Sequence, residues 1–147
     1  MTLRWILPLL LLLTACSEEA PVVNAQWGTP EYVATQFFQA LYNDNDLDKA
    51  KALSTPKYAD LMESYGSVRQ VSRTLMNMSF DTVEIRVNRS GGNLREQYED
   101  TAEIAILLTG KHDGKQVDEL RVVEMIQHDG RWVVQAVQID KFASSAR

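Results

Sequence analysis

Glu124 stands inside Val122-Val123-Glu124-Met125-Ile126, an acid in the middle of an apolar run. Desolvation moves the pKa of a carboxylate in such surroundings toward neutrality, where it can take and return a proton, and this makes Glu124 the best single catalytic candidate, a weak one. Its role turns on which face of a strand is buried. With Leu120, Val122 and Ile126 inward, Glu124 shares their face; with Val123 and Met125 inward, it points to water, and charged residues are seldom fully buried without a partner. Glu103, among Ala102, Ile104 and Ile106, has the same two options. His112 and His128 each belong to a His-Asp-Gly sequence, at opposite ends of one strand. About eleven strand residues at ~3.3 Å each put them on the order of 35 Å apart, too far to share a metal or a proton. Arg69 and Arg73, one helical turn apart, could hold an anion together, although such pairs on a polar helix face are usually only solvated. No Gly-rich phosphate loop and no nucleophile-base motif occurs, so neither a metal nor a cofactor is expected.

A different chemistry attaches to Cys16, the single cysteine of the chain. It closes Leu13-Thr14-Ala15-Cys16, behind an apolar run from Trp5 to Leu13 with Arg4 as the only charge ahead of it. This resembles the lipobox of bacterial lipoprotein precursors, where small side chains beside the cut bond suit an intramembrane peptidase. The resemblance implies that residues 1–15 are a signal peptide and that the Cys16 thiol carries a diacylglyceryl group. The apolar run is far shorter than the ~20 residues that cross a bilayer, as an export signal should be. Each buried methylene contributes about 0.8 kcal/mol, and two acyl chains hold firmly where one is marginal. Ser17 in place of Asp implies forwarding to the outer membrane, with the protein on its periplasmic face. Residues 16–28 then form the lipidated start and a tether, whose twelve residues beyond the cysteine reach at most ~40 Å. Trp27 could pack on the edge of the domain.

The chain has 147 residues and a formal charge of -5; losing Arg4 with the signal makes it -6 on the 132 residues that remain. That length suits one domain. An acidic chain without a basic stripe is a poor partner for nucleic acid or for anionic lipid, so the acyl chains must do the holding.

Behind the tether, Thr29-Pro30-Glu31 has the marks of a helix start: a capping hydroxyl, a proline at the first helical position and an acid near the positive end of the dipole. Val33, Ala34, Phe37, Phe38 and Leu41 give that helix a buried stripe. Asp46 caps a second helix through Leu47, Ala50 and Leu53. Thr55-Pro56 starts a third through Tyr58, Leu61, Met62 and Tyr65, closed by Gly66. Ser67 to Gln70 has capping-box spacing and leads a fourth through Val71, Leu75 and Met76. From Ser79 the period becomes two. Val83, Ile85 and Val87 predict one strand and Ala102 to Leu108 a second, with a loop from Arg89 to Gln97 between them. Gln116 to Gln127 and Arg131 to Asp140 complete an antiparallel meander, each entered through an Asp-Gly turn. Helices followed by strands make an α+β fold.

Phe37-Phe38-Gln39-Ala40-Leu41, Asn45-Asp46-Leu47-Asp48-Lys49-Ala50 and Asp129-Gly130-Arg131-Trp132-Val133-Val134 together resemble the nuclear transport factor 2-like superfamily, a cystatin-like α+β roll, over roughly residues 29–141, with 142–147 left as a tail. The resemblance implies N-terminal helices on a curved antiparallel sheet, with a cone between them. Isomerases and dehydratases of that superfamily work in the cone, and other members only assemble complexes. Tyr58, Met62, Tyr65, Met76, Met78 and Trp132 either line such a pocket or form ordinary core, and core is the commoner fate of residues so spaced. The expected function is a non-catalytic, lipid-anchored envelope protein that binds a protein partner or a small apolar ligand. The alternatives are an enzyme with Glu124 in the cone and a homodimerisation module, which exposed apolar residues on the outer sheet face would favour.

Overall fold

Four hydroxyl- or carboxylate-capped starts organise the first half of the computed structural model, which describes residues 28–89, 97–98 and 100–139. The expected signal peptide, Cys16, most of the tether with Trp27, and the 142–147 tail lie outside the described residues. Thr29 accepts the Tyr32 N–H at 3.3 Å and starts α1 (Pro30–Gln39). Asp46 accepts the Lys49 N–H at 2.9 Å and starts α2 (Leu47–Ala52). Thr55 and Ser67 do the same for α3 (Pro56–Ser64) and α4 (Val68–Gln70).

Two of these helices end in a way that the sequence does not announce. After α1 the backbone widens into a π-type turn over Ala40–Asp44, closed by Asn45 at φ 52°, whose N–H donates to the Ala40 carbonyl. A second such turn, Val71–Leu75, extends α4 and ends with the Met76 N–H on the Val71 carbonyl at 2.9 Å. The fourth helix is therefore one short α segment and one wide turn.

The strands are β1 (Thr82–Val87), β2 (Gln97–Tyr98), β3 (Thr101–His112), β4 (Lys115–His128) and β5 (Arg131–Ile139). They form an open antiparallel sheet in the order β1-β3-β4-β5, with short β2 beside the start of β3. The loop expected from Arg89 to Gln97 thus ends in a strand pairing at Gln97. Both Asp-Gly turns have positive φ at each residue, 50° and 75° at Asp113-Gly114, 51° and 73° at Asp129-Gly130, as tight hairpins require. The register slips between Glu124↔Ala136 and Met125↔Val134, leaving Gln135 as an extra, exposed residue on β5. The outer edge of β5 is also met: Val134 exchanges backbone hydrogen bonds with Leu53 and Thr55, at 2.8 and 2.9 Å.

The helices cover one face only. Phe37, Phe38 and Leu41 of the α1 region, Met62 of α3 and Met76 pack on Ile104, Ile106, Leu108, Val123, Met125 and Val134. Aromatic rings run through this layer, Tyr58 to Phe37 at 6.1 Å, Phe38 to Tyr42 at 6.1 Å and Tyr42 edge-on to Phe80 at 5.2 Å. Burial of each phenylalanine contributes about 1.5–3 kcal/mol. Gly110 makes room for Phe80: a Cβ there would stand 2.2 Å from the Thr82 carbonyl oxygen and 2.8 Å from the Phe80 ring. The α+β class with N-terminal helices on an antiparallel sheet is the architecture present. Among the described residues no helix is long and apolar enough to cross a membrane.

Candidate functional site

The inner face of β4 carries Arg121, Val123 and Met125, all buried, so Glu124 belongs with Leu120, Val122 and Ile126 on the other face. Of its two options the second holds. Glu124 lies outside the helix-covered layer and accepts a hydrogen bond from the Gln138 side-chain amide. Glu103 is its directly opposed neighbour on β3, on the same outer face.

The residues weighed as pocket or core separate as follows. Met62 and Met76 are wholly buried, Tyr58 and Trp132 nearly so, and Tyr65 is half-buried at the margin of the same layer. Burial pushes the Tyr58 phenol well above its ordinary range, with a hydrogen bond to the Val137 backbone working against that and the Glu124 and Tyr65 charges adding to it. These side chains fill the space between helices and sheet.

At one end of that layer a cleft of about 710 Å³ opens between α4 with its wide turn and the β3-β4 hairpin. The elements on either side are fixed by the Ser67 cap and by the Asp113-Gly114 turn. Arg69 and Arg73 stand on the helical wall, both exposed, and neither forms an ion pair among the described residues. Asp81, His112 and Asp113 stand on the sheet wall. Asp81 Oδ2 accepts the Gly114 N–H at 3.4 Å, Ser79 Oγ lies 3.5 Å from His112 Nδ1, and His112 Nε2 lies 3.6 Å from Asp113 Oδ2. Leu41, Val68 and Phe80 add apolar lining. The cleft brings together three residues weighed in the sequence, Arg69, Arg73 and His112, and leaves His128 at the far end of β4. None of Tyr58, Met62, Tyr65, Met76, Trp132 or Glu124 lines it.

Tyr42 joins the cleft to the interior. Its hydroxyl donates to the Met78 carbonyl at 3.0 Å, and burial drives the phenol far up, opposed by the Arg121 guanidinium and reinforced by Glu119. Arg121 itself is 2 % exposed; its Nη1 donates to Glu119 Oε2 at 2.8 Å and to the Leu120 carbonyl at 3.0 Å, its Nη2 to the Met76 carbonyl at 3.3 Å. Its Nε has no partner among the described residues. Neither Arg121 nor Tyr42 stands out in the sequence. Arg121 occupies a strand whose two faces are both largely apolar, and the one available signal was its parity with Val123 and Met125. Among the described residues no three metal-binding side chains converge.

No protein-family model matches the chain. No curated protein sequence matches it either. A solved solution structure does: a SEC-C motif containing protein from Rhodopseudomonas palustris, 16% identical, with a TM-score of 0.57 over 76% of this chain and 79% of that one. At that identity the likeness is one of fold. These findings correct the family resemblance drawn from the sequence, since they name neither a lipoprotein nor a nuclear transport factor 2-like domain. The physical reason lies in the motifs that carried it. An aromatic helix stripe, an Asp cap and an Asp-Gly hairpin ending in an inward tryptophan suit any helical layer on an antiparallel sheet.

Proposed function

We propose that the protein is anchored in the cell envelope by a lipid on Cys16, at the periplasmic face of the outer membrane, and that its domain is a non-catalytic docking module for a protein partner. The anchor rests on the Leu13-Thr14-Ala15-Cys16 sequence, and the observation that carries the docking reading is the outer face of the sheet. Leu107 opposes Leu120, Ala105 opposes Val122 and Ile126 opposes Val133 across the strand pairs, and the described helices pack on the other face. On that face Leu107, Leu120, Val122 and Ile126 are half-buried and Ala105 and Val133 are buried, and a contiguous apolar patch marks an interaction site more often than scattered single residues do.

Glu103 and Glu124, directly opposed on that face, set the chemistry of the partner. Like charges across a strand pair repel, and a cation held between apolar side chains of the partner relieves them. A second copy of the chain brings the same two acids, with the cations of that face, Arg86, Lys111 and Arg131, toward its margins, so a different protein fits better than a homodimer. A small apolar ligand in the layer between helices and sheet is less favoured, because Phe37, Phe38, Met62 and Met76 already fill it.

The test is a photo-crosslinking residue placed at Val122 in cells, with the same group at exposed Lys57 on α3 as control. An adduct with a different protein, formed from position 122 and not from 57, is expected. A self-adduct of twice the chain mass, or equal labelling from both positions, overturns the reading.

A further inference from the structure

We infer that the cleft between α4 and the β3-β4 turn binds a small zwitterion, an amino acid or short peptide with both ends free, its carboxylate on Arg69 and Arg73 and its ammonium at Asp81 and Asp113. This site is separate from the outer sheet face and does not depend on what docks there.

Four charged side chains of both signs line one cavity, and no ion pair joins the arginines to the aspartates. The aspartates make other contacts instead, Asp81 with the Gly114 N–H at 3.4 Å and Asp113 with His112 Nε2 at 3.6 Å. The arginines come from α4 and its wide turn, which the Ser67 cap and the Met76-Val71 hydrogen bond fix at either end. The aspartates come from the approach to β1 and from the hairpin, tied to each other by the Asp81 carboxylate on the Gly114 N–H.

Charge narrows the ligand by elimination. A simple anion would meet two guanidinium groups but also two carboxylates, on a chain whose formal charge is -5. A simple cation would meet the arginines. A molecule carrying both signs satisfies both walls, and the guanidinium fork suits a carboxylate. The apolar lining from Leu41, Val68 and Phe80 accommodates the carbon between the charges, and His112 adds a side chain that can donate or accept. A volume of about 710 Å³ lies in the range of small-molecule sites.

The probe is L-alanyl-L-alanine, titrated into the full-length chain and followed by amide NMR shifts and calorimetry. Its N-acetylated form, which lacks the ammonium, and its C-terminal amide, which lacks the carboxylate, serve as the blocked comparisons. Saturable binding is expected, with shifts concentrated at residues 68–73, 79–81 and 112–114. Each blocked form, and each of the variants Arg73→Gln and Asp113→Asn, should bind about tenfold more weakly or worse, since each loses a charge-assisted contact. Asn tolerates the left-handed backbone at position 113, and unchanged circular dichroism of both variants checks the fold. Absence of saturable binding, equal affinity for the blocked forms, or unchanged affinity in both folded variants overturns the proposal.

Discussion

Arg121 and Tyr42 show how much a single buried polar side chain can govern. Among the described residues Arg121 has only Glu119, 16 % exposed, as its counter-charge, and one of its nitrogens is unsatisfied. Breaking such a pair from one side strands the other charge, and Arg121→Ala is expected to lose about 3–5 kcal/mol. Arg121→Met combined with Glu119→Gln removes both charges and should recover most of that loss; urea denaturation of the two variants decides. Tyr42→Phe leaves the Met78 carbonyl without its donor and should cost about 1 kcal/mol at neutral pH. It also has a pH signature. The folded phenol ionises above its unfolded value, so its stabilising contribution is complete below about pH 10 and is lost as pH rises beyond it. The parent protein should therefore weaken in alkali more steeply than Tyr42→Phe, with Tyr58, shifted the same way, keeping some slope in both. Legibility at this scale was limited by strand parity. Around Glu124 the residues on both faces are apolar, so a period of two fixes which residues sit together but not which set is covered. The Arg69–Arg73 spacing was legible; that Asp81 and Asp113 face them was not, because those residues are far apart in sequence and only the sheet joins them.

Elements were read more fully than their irregularities. Each helix start carries its cap in the local sequence, Thr29, Asp46, Thr55 and Ser67, and each cap is made. Both hairpins follow from Asp-Gly, where the backbone needs positive φ twice in succession. The wide turns after α1 and within the fourth helix, and the Gln135 bulge, depend on how the helical layer seats on the sheet, and nothing local encodes them. Gly110 belongs to the same class: inside a strand pattern it reads only as a weak position, whereas the fold uses it to let Phe80 and the Thr82 backbone approach. Gly110→Ala should cost about 1–3 kcal/mol, because the nearest obstacle is a backbone carbonyl that cannot rotate away. A midpoint in thermal or urea unfolding equal to that of the parent would contradict this close approach.

At the scale of the whole molecule, the change of period from helical to two gives the α+β class directly, and the order of helices before strands gives its layering. The family did not follow, since its markers are general solutions to seating helices on a sheet. Membrane attachment is separable from all of this. Cys16→Ser should shift the protein from the membrane to the soluble fraction while leaving its unfolding midpoint unchanged, as measured by fractionation and thermal melting of the same preparation. Retention on membranes would remove the lipid anchor from the proposal. The bridge from Leu53 and Thr55 to Val134 has its own bearing on life in a crowded compartment. It occupies the N–H and carbonyl of Val134, midway along β5, and so interrupts the edge that a foreign strand would need to pair along its full length. Among the described residues, the free edge of β1 is six residues long with Glu84 and Arg86 projecting from it, a poor template for polymerisation.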